Sequence, residues 1–401
     1  MKTYNKPSWQ RLLPAILAVL PVFICAILPV LAQQGKELQL QTLVQQLQGQ
    51  DKLARLSALK EVRKIGPEAK AAIPALTLLL KEPEADVREI AAEALGKMGA
   101  ESRTAIPALT EALKDPVPTV RSNAAFALGQ IGIEAKSAAP ALSALLNDQT
   151  SWARGSAAFA LGRIGEAKAH LSALIGLLND SSESVRKDAA DAIGRAGSGA
   201  VAAVPALIAS LKDKSAPVRR YAAEALGKIG PEAKAALPGL TESLKDREFV
   251  VRTYSAYALK QIGLEMKDAI PVWMALLKDP HEHLRSYAAD ALGAFGPEAK
   301  VAAPALIDAL KDQDRFVRLS AAKSLGKMGA EAKTAVPQLT GLLKDGEALV
   351  RSTAAEALGR IGAEAKSAIP ALAELQKDQA PIVRLAATSA IEKINASAAR
   401  P

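Results

Sequence analysis

A period of about 33 residues runs through most of this chain, which is 401 residues long. Arginine, proline and aspartate all follow this period, and a single interval in the arginine column is one residue shorter than the others. The arginine column comprises Arg55, Arg88, Arg121, Arg154, Arg186, Arg219, Arg252, Arg285, Arg318, Arg351 and Arg384. A fixed period of this length is typical of repeat proteins, in which each unit packs against its neighbours. It predicts eleven units from about Gln34 to Asn395, without a linker or a second domain.

The unit from Gly66 to Gly99 shows the predicted local structure. Apolar residues spaced three and four apart, from Ile73 to Leu80, predict a first helix. Pro74 falls inside this helix and is expected to bend it. A second helix follows and is expected to end at Gly99. Two short helices cannot bury both of their faces alone, so the units must stack into a continuous core. The sequence therefore predicts an all-α fold.

The order of residues within the unit resembles the HEAT repeat. Pro74, Val87-Arg88 and Ala94-Leu95-Gly96 carry this resemblance, and Gly66 to Lys70 is similar to the short variant named after phycobilisome lyases. The resemblance implies a right-handed α-solenoid of two-helix repeats. It also implies a hydrogen-bonded ladder of aspartate and arginine between adjacent units, with a structural role for Asp115 with Arg121 and for their equivalents. The residues to which it gives this structural role are Asp115, Arg121, Asp148, Arg154, Asp213, Arg219, Asp246, Arg252, Asp312, Arg318, Asp345 and Arg351.

Residues 1–32 form a separate segment. Three basic residues precede an apolar run, Leu12–Leu31, which ends in the small residues of Val30-Leu31-Ala32. This pattern is typical of a signal peptide. We therefore expect export to the periplasm, the extracellular space or a lumen, with a mature chain that begins at Gln33. The alternative is that residues 12–31 are retained as a membrane anchor, because about 20 apolar residues can span a bilayer.

The two ends of the repeat array depart from its pattern. Gln41 and Gly49 stand where proline and aspartate are expected. A terminal repeat needs a polar outer face, so residues 33–65 are predicted to form an N-terminal capping repeat. Residues 66–395 then form the repeat array, and residues 396–401 form a short C-terminal tail.

The composition offers little material for catalysis. The chain has three histidines and one cysteine, and cleavage of the signal would remove Cys25. His281-Glu282-His283 could contribute to a metal site, but a third ligand is missing, so we interpret the cluster as solvated loop residues. We therefore predict no metal, no cofactor and no enzymatic activity. The alternative, which depends on family resemblance alone, is a lyase or a metal-dependent oxidoreductase related to phycobilisome lyases and deoxyhypusine hydroxylases.

Basic residues recur near the ends of the second helices. They are Lys97, Arg163, Arg195, Lys228, Lys327, Arg360 and Lys393. In four of these seven units an acidic residue stands four positions earlier, as Glu93 does before Lys97, and this spacing favours an ion pair on a helix. Where Phe126 replaces the acid, Gln130 replaces the base. The columns therefore predict a self-neutralised surface rather than a phosphate-binding track, and no nucleic-acid partner.

Aromatic residues suggest where a partner could bind. Phe126 and Phe159 occupy the same position in adjacent units, and Trp152 lies two helical turns before Phe159 on the same face. Aromatic centres with polar rims are typical of protein interfaces. We therefore predict a partner-binding site at these three residues, with Tyr257 as a further member. The leading hypothesis is an exported, non-catalytic scaffold that binds a protein or peptide partner on its concave face.

The surroundings of these aromatic residues refine the hypothesis and leave one alternative. Glu93 and Asp191 occupy the same column in the flanking units, which favours a partner with a basic, apolar segment. Trp152 shares its column with Phe316, Leu349 and Ile382, which instead favours packing at the start of the helix. Outside its complex the protein is expected to be a monomer, and no membrane contact is expected beyond the N-terminal segment.

Overall fold

The computed structural model describes residues 36–399, and all regular secondary structure in that range is helical. The predicted signal segment, the predicted cleavage site after Ala32 and the apolar run 12–31 lie outside the described residues, so export stays a prediction. Within the described range, no helix is both long and apolar enough to cross a membrane.

Two compact units divide the chain, the first ending at Gly239 and the second beginning at Leu240. The α-helices of the first unit are α1 (36–48), α2 (Lys52–Ile65), α3 (Ile73–Leu79), α4 (Ala85–Met98), α5 (Ile106–Ala112), α6 (Pro118–Ile131), α7 (Ala139–Leu145), α8 (Ser151–Arg163), α9 (Leu171–Leu177), α10 (Glu183–Arg195), α11 (Val204–Ser210) and α12 (Ala216–Ile229). The boundary between the units falls within α13 (Leu237–Ser243). The second unit continues with α14 (Phe249–Ile262), α15 (Met266–Leu276), α16 (Glu282–Ala294), α17 (Ala303–Ala309), α18 (Arg315–Met328), α19 (Val336–Leu342), α20 (Ala348–Ile361), α21 (Ile369–Leu375) and α22 (Pro381–Ala398).

Most repeats share one anatomy. A 3₁₀ segment leads into a short α-helix, and together they form the first helix of the pair, which a longer second α-helix follows. The 3₁₀ segments are Gly66–Ala72, Gly99–Ala105, Gly132–Ala138, Gly197–Ala203, Gly230–Ala236, Gly296–Ala302, Gly329–Ala335 and Gly362–Ala368. Second helices of successive repeats pack side by side, as α4, α6, α8, α10 and α12 do in the first unit and α16, α18, α20 and α22 do in the second. The predicted all-α solenoid of stacked helix pairs is thereby confirmed.

The repeated proline stands at the start of an α-helix rather than in its interior. Pro74 is the second residue of α3, where a missing N–H costs nothing because the first helical N–H groups have no partner within the helix. The backbone bends earlier, at Ala69 (φ −88°, ψ 22°). The predicted proline bend is therefore wrong for this repeat. In α15, by contrast, Pro271 does lie inside the helix.

Small residues allow the second helices to approach each other closely. A Cβ atom placed on Gly326 of α18 would lie 2.8 Å from the Cα of Ala357 in α20. A larger residue there would force the two helices apart. Gly66 ends α2 with a positive φ of 69°, a conformation that residues with a Cβ rarely adopt. Glycine therefore serves both helix packing and helix ending in these repeats.

The structure also describes most of both ends of the array. In α1, Leu43 and Leu47 are buried, whereas Gln41, Gln45 and Gln46 are exposed. At the other end, α22 extends to Ala398, three residues into the predicted tail.

Candidate functional site

An arginine–aspartate ladder joins consecutive repeats within each unit. Arg121 donates to both carboxylate oxygens of Asp148 in the next repeat, from Nε at 2.8 Å and from Nη2 at 2.9 Å. Its Nη1 donates to the backbone carbonyl of Asp115, at 2.8 Å, in its own repeat. Equivalent ion pairs are Arg88–Asp115, Arg154–Asp180, Arg186–Asp213, Arg252–Asp279, Arg285–Asp312, Arg318–Asp345 and Arg351–Asp378. Each guanidinium therefore hydrogen-bonds the turn between the paired helices of its own repeat and the aspartate of the following repeat.

The ladder pairs its residues across repeats rather than within them. The side chain of Asp115 accepts from Arg88 of the preceding repeat, and Arg121 reaches Asp115 only through the backbone. Arg219 likewise donates to the carbonyl of Asp213 at 2.9 Å, and the carbonyl of Asp246 accepts from Arg252. All twelve residues that the sequence assigned to the ladder therefore contact the turn between the paired helices or a ladder partner.

Ladder aspartates are held in their charged form. Burial raises the pKa of Asp148, but hydrogen bonds from Arg121 and from the backbone and hydroxyl of Thr150 outweigh it. The net effect lowers the pKa of Asp148 to about 2. In the second unit the pKa of Asp345 is also lowered, because hydrogen bonds from Arg318 and Glu347 outweigh the effect of burial. The aspartates thus serve as fixed anions of the scaffold.

The second helices turn one face away from the core. In α6, Thr119, Phe126 and Gln130 are all at least partly exposed, whereas Val120 and Leu128 are buried. These three exposed residues are the second, ninth and thirteenth of their helix. We name the equivalent positions of all second helices the start row, the middle row and the end row. The three rows together form the second-helix face, which is the candidate functional surface.

In the first unit, the three predicted aromatic residues lie on this face. The rings of Phe126 and Phe159, both in the middle row, stack with centroids 5.3 Å apart. Trp152, in the start row, is 63% exposed, so it does not pack into the start of its helix. Phe159 is only partly exposed, because it lies against Gly129 of the preceding second helix. Phe126 and Trp152 therefore offer the accessible apolar surface, and Phe159 supports it.

The acidic residues that flank this aromatic group are already paired. Glu93 accepts from Arg63 at 2.7 Å and lies 3.4 Å from Lys97. Asp191 lies 2.9 Å from Arg195 in the same helix. These carboxylates are therefore neutralised by the protein itself, which weakens the expectation that they would select a basic partner.

Tyr257 belongs to the second unit, in the middle row of α14, and is 40% exposed. Nearby Trp273 is buried, and its ring meets Tyr287 edge to face at 5.9 Å. Burial of the Tyr287 ring raises its pKa to about 12. The aromatic residues around Tyr257 are therefore largely part of the packing.

Sequence reasoning missed an apolar stretch of the start row in the second unit. Phe316, Leu349 and Ile382 occupy this row in three consecutive repeats and are each about half exposed. The sequence shows their shared column but favours only packing at the helix start. Their exposure shows that the column faces solvent in these repeats.

The end row of the same repeats also differs from its prediction. Lys327, Arg360 and Lys393 are exposed, and none has a carboxylate within 4.0 Å among the residues that the structure describes. Glu356 stands four residues before Arg360 but does not pair with it. The predicted self-neutralisation is thus wrong for this part of the face.

The histidine cluster forms a stack of rings. Phe249 and His281 stack at 4.3 Å, and His281 and His283 at 5.3 Å. Glu282 lies 3.7 Å from His281 Nδ1. Within residues 36–399, no group of three or more histidine, cysteine, aspartate or glutamate side chains is placed to hold a metal ion.

Known proteins provide an independent comparison. The family profile described as HEAT repeats matches residues 40–129, 78–162, 106–194, 138–217, 171–260, 237–326 and 303–392. No curated protein matches the chain significantly.

Among solved structures, an engineered protein from a structural genomics consortium has a TM-score of 0.50 and 23% identity over 89% of this chain and 98% of its own. Importin beta, crystallised in an ammonium sulfate condition, has a TM-score of 0.56 and 17% identity over 89% of this chain and 56% of its own. These structural likenesses support the fold alone. The family matches extend over nearly all of the described residues, and the chain belongs to the HEAT-repeat family.

Proposed function

We propose that this protein is an exported, non-catalytic scaffold that binds a protein or peptide partner on the second-helix face. HEAT-repeat solenoids are typical of protein-interaction scaffolds, and stacked repeats present long surfaces to their partners. The fold alone does not assign a function, so the proposal depends on side chains of this face. The partner-binding group is Phe126, Trp152 and Phe159 in the first unit.

The exposed aromatic pair Phe126 and Trp152 is the observation that carries the proposal. Exposed apolar patches often mark interaction sites, and tryptophan is enriched among residues that dominate binding energy. Trp152 is 63% exposed, and Phe126 is positioned by its stack on Phe159. A ring that is already held in place gives a partner an apolar anchor at a small cost in conformational entropy.

A matched pair of single variants tests the proposal. Trp152→Ser and Ile133→Ser each remove one large apolar side chain, and the two side chains are 63% and 64% exposed. Ile133 lies in the 3₁₀ segment of a first helix, away from the second-helix face. A photo-crosslinking residue at Phe126 would first identify the partner in host extracts. We expect Trp152→Ser to weaken capture of that partner by at least about tenfold, and Ile133→Ser to leave it unchanged.

The outcome that would contradict the proposal is equally specific. Equal capture by both variants, with melting curves like that of the unmodified protein, would exclude the aromatic group as the binding site. Crosslinking from position 133 but not from position 126 would move binding to the first helices.

Export is tested separately at the N-terminus. Mass spectrometry of the protein isolated from its host should find Gln33 as the first residue, because Val30-Leu31-Ala32 provides the small residues that a signal peptidase needs. An intact segment 12–31 in a membrane fraction would instead indicate the anchor.

A further inference from the structure

The second-helix face of the last three repeats carries two rows of opposite character. The start row is apolar and exposed, and the end row is basic and exposed. The members of this pair of rows are Phe316, Leu349 and Ile382, and Lys327, Arg360 and Lys393. We call these six residues the amphipathic surface. We propose that it binds an acidic amphipathic α-helix of a protein partner.

The basic row of this surface is uncompensated. In the first unit, by comparison, Lys97, Arg195 and Lys228 each lie within 3.4 Å of a carboxylate one turn earlier. Among the residues that the structure describes, Lys327 and Arg360 have no such carboxylate. Lys323, in the middle row, adds a further cation and lies 3.9 Å from Asp290. The positive charge of this surface is therefore available to a partner.

The carboxylates nearest these rows do not cancel that charge. Glu356 lies in the middle row of α20, and Glu392 lies beside the end row on α22. With Asp290 beside Lys323, four cations of the middle and end rows thus face three carboxylates. Glu347, near the start row, lies 3.5 Å from Arg315 and is itself paired. The net charge of the amphipathic surface is positive, and an acidic partner complements it.

The spacing of the rows fits a helix. Eleven positions separate the start row from the end row, which is roughly 16 Å along each second helix at about 1.5 Å per residue. A partner helix is about 10–12 Å wide, so it can lie across the second helices between the two rows. One side of it would cover the apolar row, and the other would reach the lysine and arginine heads. Neighbouring second helices lie about 8–10 Å apart, close to the rise of two helical turns.

Two side-chain rows distinguish this occupant from other anionic ligands. Phosphates of a nucleic acid would pair with the basic row but leave the apolar row exposed to water. An acidic amphipathic helix satisfies both rows at once. The inference depends on the proposed function, because it names a partner class for a second surface of the same scaffold.

A designed peptide provides the probe. It is about six helical turns long, enough to cross three second helices, with leucines spaced three and four apart along one side and glutamates beside them. Fluorescence polarisation measures its affinity for the full chain. We expect binding that weakens as sodium chloride is raised to about 0.5 M, because salt screens exposed charges. A second peptide with lysine in place of every glutamate should bind at least about tenfold more weakly.

Matched variants locate the site. Leu349→Ser with Ile382→Ser, and separately Arg360→Glu with Lys393→Glu, should each reduce the affinity by at least about tenfold. Val301→Ser and Lys333→Glu are controls, because both residues are exposed in 3₁₀ segments of the same unit. They should change the affinity by less than about twofold. All four side chains in the test variants are exposed, and circular dichroism melting checks that each variant folds.

Specific results would overturn the inference. Equal affinity for the glutamate and lysine peptides, equal weakening by the control variants, or binding to vesicles of phosphatidylserine and phosphatidylcholine without binding to the peptide would each do so. The proposed function fails by a different result, which is loss of the Trp152→Ser effect on the natural partner. If the glutamate peptide does not bind but Trp152→Ser still weakens capture of the natural partner, the inference about the amphipathic surface is rejected and the proposed function is not.

Discussion

The second-helix face is built from the same positions in both units, yet its charges are arranged differently. In the first unit every cation of the end row from Lys97 to Lys228 has a partner on its own helix. Three of them face carboxylates, and Arg163 lies 6.0 Å from the ring of Phe159. In the second unit, the cations from Lys327 to Lys393 are without a close carboxylate in the described part of the chain. The end-row cations of the first unit are therefore engaged within their own helices, whereas those of the second unit are available to a partner.

This contrast shows where function can vary in a repeat protein. The ladder, the core leucines and the helix-ending glycines recur in both units, because every repeat must pack against its neighbours. The side chains of the start, middle and end rows are not needed for packing between repeats, so they differ from copy to copy. Differences among copies therefore indicate binding surfaces, and identities indicate the scaffold.

Acid should weaken the scaffold of both units in one pH window, and this is the largest effect we expect. The folded pKa of the ladder aspartates from Asp115 to Asp213 and from Asp279 to Asp378 is lowered. The stabilisation they provide is therefore complete above the unfolded pKa, about 4, and is lost as the pH falls toward the folded pKa. For Asp148 the folded pKa is about 2. Urea unfolding at a series of pH values should show a falling midpoint below about pH 4.

The same experiment can separate the two units. Thr150 donates its hydroxyl to Asp148 at 2.7 Å, whereas Glu347 stands at the equivalent position beside Asp345 and donates only its backbone N–H. Carboxyl titration by NMR should therefore give Asp148 the lower pKa, and Thr150→Val should raise it. A urea midpoint that stays constant from pH 5 to about 2 would contradict a stabilising ladder.

Loss of one arginine should destabilise either unit similarly. Arg154→Ala and Arg318→Ala each remove a guanidinium whose side chain is about one-sixth exposed and which binds a carboxylate that is at most 10% exposed. Each variant should lose about 1.5–3 kcal/mol in the free energy of unfolding, because hydrogen bonds to a charged, partly buried group are lost. Lysine at the same positions should restore only part of the lost free energy of unfolding, since it cannot donate two parallel hydrogen bonds to the two carboxylate oxygens as arginine does. A large effect in one unit alone would show that the ladder is not an equivalent support in both.

Truncating the apolar residues of the second-helix face should affect stability unequally. Phe159→Ser removes a ring that stacks on Phe126 and lies against Gly129, so we expect a cost of about 1–2 kcal/mol. Leu349→Ser removes a side chain that is 57% exposed, and should cost less than about 0.5 kcal/mol. Thermal or urea unfolding measures both. Equal costs would mean that Leu349 is also part of the packing.

The smallest expected effect concerns the ion pairs within single helices. Asp191→Asn should cost about 0.2–0.5 kcal/mol, because Arg195 loses a carboxylate 2.9 Å away. Glu356→Gln should cost almost nothing, since Glu356 does not pair with Arg360. Double-mutant cycles with Arg195→Gln and Arg360→Gln isolate each coupling energy. A coupling in the second cycle as large as in the first would abolish the contrast between the two units.

Repetition made the fold predictable. The arginine, proline and aspartate columns recur so often that a chance deviation in one repeat, such as Ser172 in the place of proline, does not hide the pattern. Exposure of Phe126 and Trp152 also followed from their helical spacing. The carboxylate that each ladder arginine binds did not follow from spacing, because spacing along the chain cannot tell whether Arg121 reaches the aspartate of its own repeat or that of the next. Only the family resemblance implied a link between adjacent units.

Contacts between repeats decided what the sequence left open. Glu93 and Glu356 each stand four residues before a basic residue. Glu93 also accepts a hydrogen bond from Arg63 of the preceding second helix, at 2.7 Å. A helical ion pair contributes only a few tenths of a kcal/mol, so the spacing along the helix does not by itself decide whether it forms. Phe159 was likewise expected to be as open as Phe126, but Gly129 lets it settle against the adjacent helix.

The ladder has a consequence for how such a protein can change its length. Each repeat supplies one guanidinium to the next repeat and one carboxylate to the previous one. An in-frame duplication of a whole repeat therefore brings both halves of a new link and creates no orphan charge. Even the one shorter repeat keeps this arrangement, since Arg154 reaches Asp180 at 2.7 Å although their separation along the chain is 26 rather than 27. The missing residue is absorbed before α9, where the usual 3₁₀ segment is absent in the described structure. Growth by gene duplication is thus chemically neutral at the joints, and new binding properties can be added one repeat at a time.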